Sequence, residues 1–575
     1  MNFEPSEFNL LLALGYWALA VLVLGGIGLL VGLTVALIGG GTDGLKFALS
    51  QAGRVGGEFA SLSPTRVGAV TKLTIKESLR RKALYVFGVF ALLFMFAGWF
   101  FGQTEYAATS PYIVFVLKTI RWLSLPMAVL LACWGLPQDI KARSLHTVVT
   151  KPVHRMEVVF GRILGYSAVM AGVVLVMGVI GYVWITRSVP DYLQGQLIGR
   201  VPVLADGLKH KGKAGEDRQA GINVGDMFEL RTYIEGDTRA RAIFHFHDFD
   251  DTAAMFAPDE EIPLEYTFEV FRSYKGDVGE DVLAGRAERA VGTRAQLAVV
   301  KDLSEAEGPD YTGERFDDRL VLRFPEFPFE LAEYETDIAK RVLRMPRTFE
   351  RDAESGVETY ALEDVYQDLD GDGDADDLAV EVRLLDGQQY LGYAKSDLFV
   401  RLPDRSFLSG YAKAVAAILL MCVLVVILGT TASTFVKGPV ATLLTLGLIG
   451  VGLFAQDFAQ EYLGGFQSTG EAMGGGPIES AYRLVTQKSQ TGPLPDSAAL
   501  TAVKKVDRGI LKSMQAAFLV LPDLRTFDLV PYVAAGFDPP FYDTFLPALL
   551  TVLAFLLPCL IVGYLSLQLR ELEAK

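Results

Sequence analysis

Five aspartates alternate with small residues in DLDGDGDADD, residues 368 to 377: Asp368, Asp370, Asp372, Asp374 and Asp376, set around Gly371 and Gly373. Calcium takes roughly six to eight oxygens, and carboxylates at positions 1, 3, 5 and 9 of a tight loop with glycine at position 6 supply most of them. Position 12 is Ala379 rather than glutamate, and the β-like LAVEV follows. The spacing therefore points to structural calcium in a β-rich setting rather than to a helix-loop-helix hand. A solvated acidic turn is the alternative, and neither reading implies catalysis.

Other chemistry-bearing residues do not assemble into a reactive pattern. The five histidines form no zinc motif with cysteine. His245 and His247 fall on one side of a predicted strand, where they make either an ordinary polar sheet face or a metal site with Asp248 or Asp250. A phosphate cradle of the form GxxxxGK[ST] is missed by both GLKHKGKAG and AGRVGGEF. GGFQSTG misses the GxSxG nucleophile spacing by one residue. The chain is expected not to be an enzyme and to carry no cofactor of its own beyond calcium; any ATP and magnesium would sit in a partner subunit.

The elements that must carry these residues are set by hydropathy. Seven apolar runs occur, at Leu10 to Ile38, Leu84 to Phe101, Trp122 to Leu136, Val158 to Ile185, Tyr411 to Thr431, Val440 to Phe454 and Phe545 to Leu567. Each approaches the ~20 residues that cross a bilayer as a helix, and the mean hydropathy of the chain is +0.31. The first run lacks a basic flank and is too long for a cleaved signal peptide. Its Gly28, Gly32 and Ala36 give the four-residue spacing of small side chains on which membrane helices pack.

Short-loop basic residues mark the cytoplasmic side. Lys46, Arg54, Arg66, Lys72, Lys76, Arg80, Arg81 and Lys82 follow the first run, and Lys141, Arg143, Lys151 and Arg155 follow the third. The expected protein is thus a multi-pass protein of the cell (inner) membrane, N-terminus outside and C-terminus in the cytoplasm. Within RVGAVTKLTIKESLRRK, Lys72, Lys76 and Arg80 stand one turn apart, with Val67, Val70 and Leu73 on another arc, which predicts an amphipathic helix on the inner leaflet. Lys118 and Arg121 sit at the start of the third run, where they are either functional intramembrane charges or helix-end side chains that snorkel outward.

Residues 187–409 would then form an extracytoplasmic domain. It holds about 27 basic and about 48 acidic side chains, more negative than the net −15 of the whole chain, and such a face argues against nucleic acid as a partner. AIFHFHDF, LEYTFEVF, DRLVLRFPEFPFEL and LAVEVRLL alternate with period two, predicting an antiparallel β-sandwich with its own core. Cys133, Cys422 and Cys559 all fall in apolar runs, which leaves this domain without a disulfide. The fold class is a polytopic α-helical membrane protein of about seven transmembrane helices with an inserted antiparallel β-rich extracytoplasmic domain. Its divisions are an N-terminal transmembrane helix (1–40), a cytoplasmic segment (41–82), helices two to four (83–186), the β-domain (187–409), helices five and six (410–457), a smaller outer segment with a helix near Leu500 to Phe518 (458–544), and the last helix with its tail (545–575).

QDIKARSLHTVVTKPVHRMEVVFGRILGY, residues 138 to 166, resembles the coupling loop of ABC-2 type exporter permeases, in which an acidic residue precedes a Gly-Thr-Leu turn, a Pro-x-x-Arg or Pro-x-Arg segment and a Gly-Lys helix head. Asp139 stands for the acidic residue, Lys151, Pro152 and Arg155 for the middle, and Gly161 with Arg162 for the end. Arg143 and Ser144 replace the family's Gly and Thr. KLTIKESLRRKALY is similar to the family's connector helix, SFLSGYAKAVAAILL and STFVKGPVATLLTL to its middle helices, and LPDLRTFDLV and LSLQLREL to its C-terminal end. The likeness covers roughly residues 66–187 and 400–575.

The resemblance implies the permease subunit of an ATP-driven ABC exporter, paired with a second permease copy and separate ATP-binding subunits. Asp139, Arg143, Lys151, Pro152, Arg155, Gly161 and Arg162 would be the coupling residues. From a different class, the alternative is a membrane-anchored scaffold whose β-domain binds an unknown envelope partner.

Overall fold

The computed structural model describes residues 9–23, 25–26, 34, 53, 57, 61–80, 88–89, 109–141, 154–189, 191–218, 232–272, 292–302, 319–324, 329–332, 342–353, 356–387, 389–455, 476–487 and 498–573. The chain divides into two compact units, a helical one (Ser6–Leu197 with Phe407–Lys575) and a β-rich one whose described residues fall within Ile198–Ser406.

The helical unit contains α1 (Leu10–Val23), α2 (Pro64–Leu79), α3 (Ser110–Lys141) and α4 (Arg155–Ser188) before the β-rich unit. Within the latter lies α5 (Phe249–Ala254). After it come α6 (Phe407–Phe435), α7 (Gly438–Gly450), α8 (Pro477–Val485), α9 (Ala498–Val520), α10 (Val530–Ala534) and α11 (Leu546–Glu573). Four stretches among the described residues are long and apolar enough to cross a membrane: Ser110–Gly135, Arg155–Ser188, Phe407–Phe435 and Phe541–Leu567. Leu10–Val23 and Gly438–Leu453 are shorter apolar helices. The expected span from Leu84 to Phe101, apart from Gly88 and Val89, and Gly28, Gly32 and Ala36 of the first, lie outside the described residues.

Apolar sequence dictates which helix is central. α6 is buried on nearly all sides, from Phe407 to Thr434, and packs against α3, α4, α7 and α11. Its polar C-terminal residues satisfy themselves within the helix: Thr431 donates to the Ile427 carbonyl at 2.8 Å, Ser433 to Thr430 and Thr434 to Thr431, each at 2.7 Å. In α1, the Trp17 indole donates to the Ala554 carbonyl of α11 at 3.1 Å.

Two expectations change here. α3 begins at Ser110 rather than near Trp122, so Arg121 lies well inside a helix. It is only 8% exposed and paired with Asp528 instead of snorkelling, while Lys118 stays exposed. The Asp528 segment packs into the helical unit: Leu524, Phe527, Leu529, Val530 and Val533 belong to its core, and α10 packs on α3 and α6.

The β-rich unit is antiparallel in every described pair. One sheet orders Ile198–Leu204, Leu398–Ser406, Ile262–Tyr266 and Val342–Met345. A larger one orders Phe329–Ala332, Gly292–Asp302, Leu378–Leu384, Arg241–Phe246, Gly207–Lys211 and Asp217–Arg218, with Arg319–Arg323 also on Gly292–Asp302. Three-stranded and two-stranded sheets complete it, and Leu264, Phe244, Leu391 and Phe349 tie all four into one core. Alternation predicted half-buried strands, yet Ala242–Phe246 and Leu378–Val382 are buried throughout. Both are interior strands, and the polar Glu381 is accommodated by Arg241 at 3.5 Å.

Candidate functional site

Two constellations gather the residues singled out by type and spacing, one in each unit. In the helical unit it is the joint between α2 and the head of α4. Val67, Val70, Thr74 and Ser78 form the buried face of α2, and Gly161 and Gly165, one turn apart on α4, receive it. A Cβ on Gly161 would stand 2.7 Å from Val70 Cβ, and one on Gly165 2.5 Å from Thr74 Cβ. Thr71 bridges the helices by donating to the Gly161 carbonyl at 3.2 Å. The small side chains let the backbones approach as membrane helices do.

Charges lock both ends of this joint. Glu157, fully buried, accepts from Ser63 N at 2.9 Å, from Arg66 Nε at 3.0 Å and from His154 N at 3.0 Å. It thereby satisfies backbone donors at the start of both helices, groups that helix geometry leaves orphaned. Arg162 reaches Glu77 of α2 at 3.3 Å and the Tyr166 hydroxyl at 3.1 Å.

Of the expected coupling residues, Arg155 opens α4 half-buried, Gly161 is the docking glycine, and Arg162 is buried against α2. Asp139 lies in the last turns of α3. Arg143, Lys151 and Pro152 lie outside the described residues. Glu157 was not among the expected residues; its signal is a lone acid three positions after His154 in a basic stretch. The amphipathic reading of α2 holds for Val67 and Val70, but Leu73 is 48% exposed. Its place on the buried arc is taken by Thr74 and Ser78.

In the β-rich unit the acidic loop closes between Gln367 and Asp377, whose backbones pair at 3.1 Å in both directions. Asp368 accepts from Gly371 N and Gly373 N, Asp370 from Asp372 N, and Asp372 from Asp374 N, at 2.6 to 3.2 Å. Gly371 and Gly373 have φ of +83° and +100°, which only glycine adopts without strain. Asp377, 1% exposed, accepts from Leu369 N at 2.6 Å, Asp370 N at 3.2 Å and Asp248 N at 3.2 Å, and faces His247 Nδ1 at 3.2 Å. Burial pushes its carboxyl up, but these donors outweigh burial and hold it below the usual range.

The structure gathers Asp368, Asp370 and Asp377, with ligand atoms within 4.8 Å of one another. Asp372, Asp374 and Asp376 are not in that group, and Asp377 was not in the expected set. Three carboxylates suit a hard cation of the calcium class, which takes further oxygens from carbonyls and water. Asp248 and Asp376 titrate above the usual range, first through lost hydration, then through like charges including Asp372 and Asp377. The histidines do not share an open face. His245 is 5% exposed within its strand, and burial, followed by the charges of Lys209 and His247, lowers its pKa to about 4.

Comparison with protein-family models, curated proteins and solved structures finds no match. The two constellations are therefore read on their own chemistry. The loop can hold a cation and order its strand ends. The joint makes α2 and the head of α4 one body, so that force applied to either moves both.

Proposed function

We propose that this chain is the membrane-spanning permease subunit of an ATP-driven transporter of the ABC-2 type, an exporter that works with a second permease copy and separate ATP-binding subunits. The observation that carries the reading is the α2–α4 joint, built from Glu157, Arg162 and two docking glycines at the end of the resemblance-bearing stretch. α4 has 34 residues and rises about 51 Å at 1.5 Å per residue. A hydrocarbon core is only ~30 Å thick, so several turns project beyond it. A projecting helix head fused to a second helix is a lever on which ATPase closure acts as a rigid-body push.

In this reading Asp139, Arg143, Lys151, Pro152 and Arg155 meet the ATPase, while Gly161 and Arg162 pass the push to α2. The joint faces the cytoplasm, and the Ile198–Ser406 unit faces outward. Covalent chemistry is left to the partner. The test is purification from detergent with its partners, followed by reconstitution. An ATPase should travel with the chain, and Arg155→Glu should lower transport per ATP hydrolysed about tenfold, the equivalent of ~1.4 kcal/mol at one contact. Unchanged coupling removes Arg155 from the interface.

The β-rich unit favours a second reading. With its own core and four sheets it is large enough to be the working part of a scaffold anchored by the helices. Capture of an envelope protein through this unit, with no ATPase in the complex, would select that reading. In both readings calcium held by Asp368, Asp370 and Asp377 stabilises the unit. Millimolar calcium should then raise its melting temperature, and Asp370→Asn should cancel the rise; an unaltered melting temperature makes the loop a self-bonded acidic turn.

A further inference from the structure

The pair α8 and α9 is packed inside out. α8 turns its charges inward: Glu479 and Arg483 are buried and paired at 2.8 Å. Asp507 of α9, 2% exposed, accepts from Ile478 N and Glu479 N, both at 2.9 Å, and so caps the start of α8. Its apolar side chains point away from this contact, with Ile478 41%, Tyr482 46%, Leu484 81% and Val485 81% exposed. A short helix in water does the opposite, because apolar burial is what drives its packing.

On α9, Lys505, Arg508 and Lys512 are all exposed. At 100° per residue they fall within about 60° of one another, roughly 100° to 160° around the helix from Asp507, and form one cationic stripe. An apolar face beside such a stripe is the composition of a helix that lies in a lipid interface. The nine residues of α8 are too few to cross a bilayer. They also offer far less than the ~800 Å² per partner of a stable protein interface.

We propose that the α8–α9 pair docks on the membrane surface, with Ile478, Tyr482 and Val485, which fall within about 60° of one another on the helix, at the headgroup–acyl boundary and Lys505, Arg508 and Lys512 on anionic phospholipid headgroups. The proposal rests on the chain spanning a bilayer and is independent of the transport reading. Docking would hold this part of the helical unit at a fixed depth beside the long helices.

The test places an environment-sensitive fluorophore on Val485→Cys, and separately on Leu484→Cys on another side of α8, in the full-length protein. Both positions are mostly exposed, so neither substitution disturbs a packed contact. The unsubstituted protein, with its own cysteines in the apolar helices, gives the background, and Ser513→Cys on the exposed side of α9 is the water-facing control. Vesicles are of phosphatidylcholine with or without phosphatidylglycerol, and carry a shallow nitroxide lipid.

The label at position 485 should be quenched severalfold more by the lipid than the labels at 484 and 513, and less by aqueous iodide. Reversing Lys505 and Arg508 to Glu should weaken docking on phosphatidylglycerol vesicles by about fivefold per charge removed, which brings lipid quenching down to the level at 513, and should leave phosphatidylcholine vesicles unaffected. Equal iodide quenching at 485 and 513 would mean a water-facing helix and overturn the proposal. Shielding from both quenchers would mean a protein surface, such as a second copy, and overturn it equally. Indifference to the charge reversals would remove the headgroup contact.

Discussion

His245 is a buried histidine whose neutral form the fold requires, and its environment makes a pH dependence. Its pKa falls from 6.5 to about 4, so between those values the unfolded chain binds the extra proton and the folded chain does not. Stability therefore falls as pH drops from 6.5 toward 4, by roughly 3 kcal/mol if the full shift is realised. Asp377 acts in a lower window: its depressed carboxyl contributes stability above the ordinary 3.8 that is lost as pH falls through its folded value. Asp248 and Asp376 are raised above 3.8, and their protonation on acidification relieves repulsion and opposes the loss. Hydrogen exchange of Arg241–Phe246, corrected for intrinsic rates, should show opening become easier from pH 6.5 to 4. His245→Gln should flatten that slope; an unchanged slope would place its origin elsewhere.

At the scale of elements, the joint between α2 and α4 depends on what is missing from Gly161. Valine there would drive its side chain into Val70, and overpacking of this kind costs about 1 to 3 kcal/mol. Gly172 of the same helix has nothing within 4 Å of a built Cβ, so Gly172→Ala should be neutral. Thermal unfolding in detergent should separate the two variants, and accelerated proteolysis between residues 61 and 80 should accompany only Gly161→Val. The contrast also shows what one dimension of sequence carries. The long helices are legible because hydropathy is a local sum, and Ala498–Val520 because its periodicity is local. Val67 and Val70 follow the helical arc, but Leu73 does not, since burial of α2 is decided by the narrow groove at Gly161 and Gly165, which admits Thr74 and Ser78. Asp377 escaped the alternating pattern because its partner Asp248 lies 129 positions away. Arg121 likewise finds Asp528 407 positions along the chain, and no window reports such a pairing.

For the whole molecule, the decisive feature is how the β-rich unit enters and leaves the helical one. Ile198 and Ser406 are Cα partners in an antiparallel ladder, and such partners stand ~4.5 to 5.5 Å apart. Among the described residues, the helical core includes Val189 and Leu193 before the insertion and Phe407 directly after it, and takes none from Ile198–Ser406. The core of the β-rich unit, among the same residues, takes none from outside. A domain whose ends are adjacent and whose core is its own is removable with little effect on its host. Joining Leu197 to Phe407 through a short Gly-Ser linker should therefore leave a monodisperse, fully helical membrane protein, with a melting temperature within a few degrees of the parent. Residues 198–406 alone should give the circular dichroism of an antiparallel β protein. Under the permease reading the excised chain keeps its ATPase; under the scaffold reading it loses its envelope partner and the isolated unit retains it. Aggregation of the excised chain would show that the two cores, separate in their residues, are not separate in their folding.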